Sequence, residues 1–332
     1  MDATSRRFTI LVLKMLTIAA AFFLAATAKA GGLENVTFKM GWWHEQTYAG
    51  FYAAEREGRY STGGLRVTFI EGGPGANSLA ALSAGKAHFA TSTASAILNA
   101  RAKGARIKAI ACFYRRSPLA FAAKPGSGIR HPRDFAGKTI RVAKHSVQIL
   151  HAMTARFGLS DDAYQVVHTR ELDKFHDGEI DVFGGYLPGA ILSAQKVMPD
   201  LIIIHPDNFG VHTYHNCLTT TEELLQKYPD LVRQFLAASV WGWKFVVANP
   251  SEVSALVLAN NPKANADHEL QKFLRALPLI DTGEDSIGWM KSEIWSGSAK
   301  TFLAATGSAG DRLAFGAYTL RFLREVLRSN GQ

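Results

Sequence analysis

The sequence predicts an α/β protein of two lobes, joined by a two-stranded hinge and completed by a helical C-terminal part. Three observations lead to this prediction. Apolar strands alternate with helices from residue 36 to residue 110, the alternation restarts after residue 118, and long helical patterns without strands follow from residue 220. The chain would cross between the two alternating blocks near Ser117 and near Cys217, as a hinged clamshell requires.

The first alternating block contains four predicted strands and three helices. The strands cover residues 36–40, 65–70, 87–90 and 107–114, and the helices cover residues 48–57, 76–83 and 94–103. The third helix stops at Gly104, the residue type that most often follows a helix C-terminus. This pattern is typical of parallel strands with crossover helices, whose ligands bind beyond the carboxyl ends of the strands. We therefore expect a binding site in the strand-to-helix loops.

The second block repeats the alternation, and the C-terminal third is helical. Its predicted strands cover residues 119–123, 139–143, 166–168, 180–183 and 201–204. The predicted C-terminal helices cover residues 222–247, 250–259, 268–277 and 313–328. A helical tail that packs back onto the first block accounts for this order.

The N-terminus has the three regions of a secretory signal peptide. Arg6, Arg7 and Lys14 precede an apolar run over residues 15–26, and a small-residue site ends at Ala30. The apolar run is shorter than the roughly 20 residues that cross a bilayer, so we expect cleavage after Ala30 rather than a membrane anchor. The arginine pair leaves both the general secretory and the twin-arginine route open. No cysteine follows the cleavage site, so the mature protein is expected to be free in a periplasm.

The charge and cysteine content exclude several classes of function. The net charge is +9, or about +6 without the leader, and the basic residues are scattered without any long run, so no nucleic-acid partner is expected. Apolar residues make up 47% of the chain and charged residues 20%, as in globular proteins. The two cysteines, Cys112 and Cys217, are too few for a thiolate metal site. In an oxidising compartment they could pair or stay buried and free.

Several short motifs along the chain carry a family resemblance. They are MGWWHEQTYAGFYAA at residues 40–54, GLRV at 64–67, GGPG at 72–75, AGKAHF at 84–89, ARAKG at 100–104, GEIDV at 178–182 and TTTEE at 219–223. In order and spacing they resemble the thiamine-pyrimidine synthase and sulfonate/nitrate substrate-binding superfamily. The resemblance implies a periplasmic binding protein type II fold that holds its ligand between two lobes. It also implies a discontinuous first lobe, residues 35–116 and 220–330, and a second lobe, residues 117–219.

The sequence departs from the enzymes of that superfamily at two places. The eukaryotic-type pyrimidine synthases consume a histidine about where this chain has Ala96, and they carry a cysteine-rich iron-binding run where this chain has only Cys217. We therefore expect no catalytic activity, no metal and no cofactor. Pyrimidine binders also place an acidic residue after the strand that here ends at Phe183 and Gly184, whereas this chain continues with Tyr186. The identity of the ligand is left open by this difference.

Candidate ligand-binding residues on the first lobe lie in its strand-to-helix loops. Trp42, Trp43 and Tyr48 could stack on a planar ligand, although core packing would also explain them. Glu45 could pair with an amino group or simply be solvated, and Gly73 could bring main-chain amides near a ligand or only form a turn.

The other candidates follow later strands. Ser92 and Thr93 end the third strand and could reach the cleft or cap the next helix. His145, Ser146 and Tyr186 follow strands of the second lobe and would form the opposing wall.

Together these features predict a periplasmic solute-binding protein of an ABC importer. We expect a monomer that captures a small heterocycle resembling a thiamine-precursor pyrimidine and delivers it to a permease in the inner membrane. A flavin and an aliphatic sulfonate- or nitrate-type anion are the alternative ligands. A pyrimidine synthase and a sensor lobe that presents its ligand to a membrane receptor are the alternative classes.

Overall fold

Two five-stranded sheets form the framework of the computed structural model, which describes residues 33–169, 171–303 and 310–329. The predicted signal peptide, residues 1–30, lies outside the described residues. The strands are β1 (Glu34–Lys39), β2 (Leu65–Ile70), β3 (Phe89–Ser92), β4 (Ile107–Tyr114), β5 (Leu119–Ala123), β6 (Thr139–Arg141), β7 (Gln165–Val167), β8 (Val182–Tyr186), β9 (Ile202–Ile204) and β10 (His215–Thr221). This architecture confirms the predicted α/β class.

The first sheet has the strand order β2-β1-β3-β10-β4, and the second has the order β7-β6-β8-β5-β9. The prediction of parallel strands holds for β1 with β3 and for β6 with β7 and β8. It is wrong for β5, which runs antiparallel to β8 and β9. Strand β10, for which no direction was predicted, runs antiparallel to β3 and β4. Each of these two strands comes directly from the other sheet. It therefore enters its own sheet at the edge where the parallel strands end, and must run back from that edge.

Fourteen α-helices are described. They are α1 (Ala49–Arg56), α2 (Arg59–Thr62), α3 (Ser78–Ser83), α4 (Ala94–Ala102), α5 (Val147–Ala155), α6 (Asp173–His176), α7 (Leu192–Val197), α8 (Glu222–Lys227), α9 (Pro229–Ala248), α10 (Val253–Asn260), α11 (Ala266–Ile280), α12 (Ser292–Leu303), α13 (Gly310–Gly316) and α14 (Arg321–Ser329). The helical C-terminal part is thereby confirmed. None of the described helices has the length and apolarity to span a membrane.

The C-terminal helices differ from the prediction at three places. The stretch 222–247 is divided into α8 and α9 because Pro229, which lacks an N–H group, begins a new helix. Helix α12 was not predicted. The stretch 313–328 is divided into α13 and α14 because residues 317–319 are extended beside β4, where the main chain of Ala109 bonds to both Ala317 and Thr319. This added pairing outweighs the local helical pattern.

The C-terminal helices pack against the first sheet through aromatic rings. Phe235 of α9 stacks on Phe89 of β3, with ring centroids 4.0 Å apart. Trp243 of α9 stacks on Phe113 of β4 at 5.0 Å and meets Phe51 of α1 edge to face. The side chain of Trp243 is fully buried. Such contacts fix α1 and α9 on the same face of the sheet.

Helices α1 and α9 approach closely at Gly242, and we predict that Gly242→Ala destabilises the protein. An added Cβ would lie 1.9 Å from the carbonyl oxygen of Gly50, so the two helices would have to separate. We expect a loss of about 1–3 kcal/mol in the free energy of unfolding, measured by urea denaturation. Gly297→Ala in α12 is the control, since its Cβ meets no atom within 4 Å and alanine favours helix by roughly 0.5–1 kcal/mol. Equal stability of the two variants would contradict the close packing.

The two cysteines form a disulfide bond, which decides the alternative that the sequence leaves open. Cys112 of β4 and Cys217 of β10 are register partners in the antiparallel pair, and their Cα atoms are 3.9 Å apart. Both residues are fully buried. The bond lies next to the two crossings of the chain and joins the strand that precedes the first crossing to the strand that follows the second.

Candidate ligand-binding cleft

A cleft of about 1370 Å³ lies between the two sheets. Its walls come from the carboxyl ends of β3, β6 and β8, from the loop that follows β1, from the start of β10, and from residues of α3 and α4. This is the position at which open α/β sheets bind ligands. Eight of the ten candidate residues line the cleft, namely Trp42, Glu45, Tyr48, Ser92, Thr93, His145, Ser146 and Tyr186.

The loop after β1 presents one exposed aromatic ring to the cleft. Trp42 keeps 39% of its surface exposed, whereas Tyr48 is 2% exposed. The Tyr48 hydroxyl accepts a hydrogen bond of 2.7 Å from the main-chain N–H of Trp42, and the N–H of Gly41 donates to Thr91 Oγ1 at 3.2 Å. Burial and the nearby Glu45 charge raise the pKa of Tyr48. Tyr48 therefore stays protonated and fixes the loop, while Trp42 offers the free ring face.

Trp43 and Gly73, the other two candidates, do not line the cleft. The Trp43 ring leans on the Trp42 ring, with centroids 4.8 Å apart, and is 50% exposed. Gly73 has φ +142°, and a Cβ at this position would lie 2.7 Å from Trp43 Nε1. Glycine is needed here because it allows this backbone conformation and leaves room for the indole.

Glu45 is already paired within the protein. Its carboxylate accepts from Lys272 Nζ at 2.6 Å and from Thr47 Oγ1 at 2.9 Å, and Lys272 also donates to Glu269 at 3.0 Å. Burial acts to lower the pKa of Lys272, but the two carboxylates outweigh burial and raise it. The ammonium group therefore stays charged, and Glu45 is already paired before any ligand binds.

A second set of polar groups, which sequence reasoning missed, forms part of the cleft wall on the first sheet. Gln46 accepts from the buried hydroxyl of Tyr114 at 3.0 Å, and Asn216 Nδ2 donates to the carbonyl of Thr47 at 2.8 Å. Asn216 adopts φ +47°, a conformation that asparagine tolerates better than most residues. The position of Asn216 at the start of a strand, next to a chain crossing, is the one local signal that could have indicated its place in the cleft.

Thr93 acts as the cap of helix α4. Its Oγ1 accepts from the N–H of Ala96 at 3.1 Å and bonds to Ser95 Oγ at 2.9 Å. The capping alternative considered for Ser92 and Thr93 therefore applies to Thr93.

The opposing wall comes from the second sheet. His145 and Ser146 lie in the turn that precedes α5, and Tyr186 ends β8. Burial raises the pKa of Tyr186 to about 12, with a hydrogen bond to Ser146 acting in the opposite direction.

Arg141, which was not predicted, lies on the same wall and donates to the carbonyls of Gly184 at 2.6 Å and Thr169 at 2.7 Å. Burial and the positive charge of Arg141 lower the pKa of His145, so this wall presents a neutral imidazole at pH 7.

His215 lies where the two walls meet. Its ring is 5.3 Å from the Tyr186 ring and 5.9 Å from the Tyr114 ring, measured between centroids. Burial, with a smaller contribution from His145, lowers the pKa of His215 to about 4. His215 is therefore neutral at pH 7 and can both donate and accept a hydrogen bond.

We predict that His215 makes the folded state sensitive to acid. Its pKa is about 4 in the folded protein against 6.5 for a free histidine, so the unfolded chain binds the proton first. The protein should lose on the order of 2 kcal/mol of stability through this residue as the pH falls from about 6.5 to about 4, and none above that window. His215→Gln should show a smaller loss over the same window in urea unfolding. Parallel pH profiles for the parent and the variant would contradict the prediction.

Comparison with known proteins connects this geometry to a family. A family model described as NMT1/THI5 like matches residues 45–253. The chain is 27% identical to the riboflavin-binding protein RibY of Chloroflexus aurantiacus, over 83% of this chain and 82% of that protein. It is 20% identical to a 4-amino-5-hydroxymethyl-2-methylpyrimidine phosphate synthase of Legionella pneumophila, over 76% of this chain and 84% of that one.

Among solved structures, the fold is similar to that of the periplasmic aliphatic sulphonate binding protein SsuA of Escherichia coli. The TM-score is 0.66 at 14% identity, and the match covers 82% of this chain and 87% of SsuA. At this identity the likeness shows the fold alone, which is the periplasmic-binding-protein fold that the sequence predicts. The family match extends over more than half of the chain, so the protein belongs to the NMT1/THI5-like family.

Proposed function

We propose that the protein is a non-catalytic solute-binding protein of an ABC importer, which holds a planar nitrogen heterocycle in the cleft between its sheets. The observation that carries the proposal is the exposed indole face of Trp42, whose main-chain N–H is bound by the Tyr48 hydroxyl, with Tyr186 on the opposing wall of the cleft. An aromatic face turned toward the cleft suits stacking on a flat ligand, which contributes roughly 0.5–1.5 kcal/mol beyond the burial of area.

The polar groups around Trp42 fit the edges of such a ring. Gln46 and Asn216 on one wall carry amide groups, and neutral His145 lies on the other. Gln46 already bonds to Tyr114 and Thr47, and Asn216 Nδ2 bonds to Thr47. Of these three side chains, Asn216 keeps its Oδ1 to accept from a ring N–H group, and His145 keeps its ring nitrogens to donate to a ring carbonyl or accept from a ring N–H group. A few placed polar groups among apolar ones are typical of small-molecule sites.

Among heterocycles we place a flavin first and a thiamine-precursor pyrimidine second. The cleft, at about 1370 Å³, extends from the Trp42 loop along α3 and α4, so one pyrimidine ring would fill little of it. An aminopyrimidine also needs an acceptor for its amino group, but Glu45 is engaged by Lys272. The similarity to the riboflavin-binding protein RibY over most of both chains also supports a flavin over a pyrimidine.

An anion such as an aliphatic sulfonate or nitrate ranks lower. Four cations line the cleft, namely Lys103, Arg141, Lys144 and Lys272. Arg141 donates to the main-chain carbonyls of Gly184 and Thr169, and Lys272 is paired with two carboxylates. At these two of the four cations a sulfonate would have to compete with existing partners for its hydrogen bonds.

A pyrimidine synthase is the other class that the family likeness raises. Suicide chemistry of that kind would consume a histidine where this chain has Ala96, and both cysteines are held in the Cys112–Cys217 bond rather than as thiolates. These two features support a binding role over a catalytic one.

The experiment is a thermal-shift and calorimetric screen of the mature protein with riboflavin, 4-amino-5-hydroxymethyl-2-methylpyrimidine and an alkanesulfonate. At a ligand concentration a hundredfold above Kd, binding should stabilise the folded state by about 2.7 kcal/mol. Riboflavin should give the larger shift. A shift with the pyrimidine alone would select the second candidate, a shift with the sulfonate alone would replace the heterocycle, and no shift with any of the three would defeat the proposal.

The proposed role also requires export. We propose that cleavage after Ala30 releases a monomer into the periplasm, where it meets the permease. N-terminal sequencing of protein from a periplasmic extract should therefore begin at Gly31. An intact N-terminus in washed membranes would speak against this localisation.

A further inference from the structure

Behind the cleft lies a small cavity of about 20 Å³, where both crossings of the chain meet both walls. Ser117 comes from the first crossing, and Thr213 and His215 come from the second. Ser95 of the first wall and Tyr186 of the second complete the enclosure. Tyr186 and His215 also line the main cleft, so the cavity continues inward from the ligand site toward the hinge.

Two residues that line this cavity each hold a polar side-chain atom with no hydrogen-bond partner among the described residues. The two atoms are Thr213 Oγ1 and His215 Nδ1, and neither atom is accessible to solvent. Thr213 is buried, with a relative exposure of 5%. A buried polar group that stays unpaired costs about 1–3 kcal/mol, so two such groups beside one cavity indicate a partner that binds there.

The size and charge of the cavity restrict that partner. A volume of about 20 Å³ admits one oxygen atom with its hydrogens, since a single water needs roughly 10–15 Å³ measured in the same way. Neighbouring hydroxyls have partners already, because Ser117 accepts from the N–H of Leu119 and Ser95 bonds to Thr93. No carboxylate lines the cavity. A neutral oxygen that both donates and accepts fits these walls better than an ion.

We infer that this hinge cavity binds a single hydroxyl-type oxygen that bridges Thr213 Oγ1 and His215 Nδ1. The oxygen comes either from a water molecule or from a hydroxyl group on the polar chain of the ligand in the cleft. The second source rests on the proposed function, because it needs a ligand that combines a ring with a hydroxylated chain. In both cases the oxygen ties the second crossing to the ligand site, so that its loss weakens binding at the hinge.

The test uses the mature protein and two substitutions at one position. Thr213→Val keeps the shape of the side chain but removes the hydroxyl, and Thr213→Ser keeps the hydroxyl as the control. Crystal structures of the free parent and of both variants show whether an oxygen lies within hydrogen-bond distance of His215 Nδ1 and residue 213. Titrations with riboflavin, which carries a hydroxylated chain, and with lumichrome, which lacks it, distinguish the two sources.

A bridging oxygen in the free parent and the serine variant, absent from the valine variant, supports the water source. Thr213→Val should then weaken both ligands by a similar factor of roughly ten. If the oxygen appears only in the riboflavin complex, Thr213→Val should weaken riboflavin roughly tenfold and leave lumichrome unchanged. Crystals without an oxygen between the two atoms, free or bound, overturn the inference. If neither probe binds the parent, the proposed flavin function fails, and the crystal structure of the free protein decides the inference alone.

Discussion

Trp42→Ala should weaken riboflavin binding by roughly tenfold to a hundredfold. The substitution removes the exposed indole face at the cleft, so the ligand loses the stacking contribution of about 0.5–1.5 kcal/mol and the apolar area that the ring would bury. A total of about 1.4–2.8 kcal/mol corresponds to that range of affinity. Calorimetric titration measures the change. The fold should survive, because the indole is exposed and the loop is held by main-chain bonds to Tyr48 and Thr91.

Trp43→Ala provides a matched control one residue away. Trp43 is the more exposed of the two indoles and does not line the cleft, so its removal should change affinity far less than removal of Trp42. Tyr186→Ala tests the opposing wall and should weaken binding as well. Circular dichroism should be unchanged in all three variants. If Trp42→Ala binds like the parent, or if Trp43→Ala is the weaker binder, the ligand does not lie against the proposed face.

The sequence predicts much of the framework because alternation of strands and helices is a local signal. Strands β2, β4 and β5 have the predicted bounds. The direction of β5 and β10 could not be obtained in this way, because it depends on which sheet edge the chain reaches after crossing. The break between α13 and α14 likewise depends on the pairing of Ala109 with residues more than two hundred positions away.

The residues of the candidate site likewise fall into two groups, those that local sequence indicates and those that depend on contacts between distant parts of the chain. Residues at the end of a strand or a few positions after it, such as Ser92, Trp42 and His145, could be proposed because strand ends converge at one edge of a sheet. Lys272 could not, because it reaches Glu45 from a helix 227 positions away. Sequence also could not separate Trp42 from its neighbour. Which indole faces the cleft is decided by the packing of the other one over Gly73.

The disulfide has a consequence for the whole second sheet. Cys112 and Cys217 are separated by 105 positions, and all five strands of the second sheet lie between them. The bond therefore holds the two ends of that segment together even when the segment unfolds. Closing a loop of this length restricts the unfolded chain more than it restricts the folded one, which stabilises the protein.

Reduction of this bond should lower the free energy of unfolding by about 3–5 kcal/mol. The chain-entropy estimate for a loop of about 100 residues is roughly 4.7 kcal/mol, and measured disulfides mostly give about 2–4 kcal/mol. The folded structure should persist after reduction, because β10 keeps its main-chain pairing with both β3 and β4. Urea unfolding with and without reductant measures the difference. A Cys112→Ala/Cys217→Ala variant should match the reduced parent and should not respond to reductant. Two free thiols in protein purified without reductant, or unfolding curves that reductant leaves unchanged, would show that the bond does not stabilise the fold.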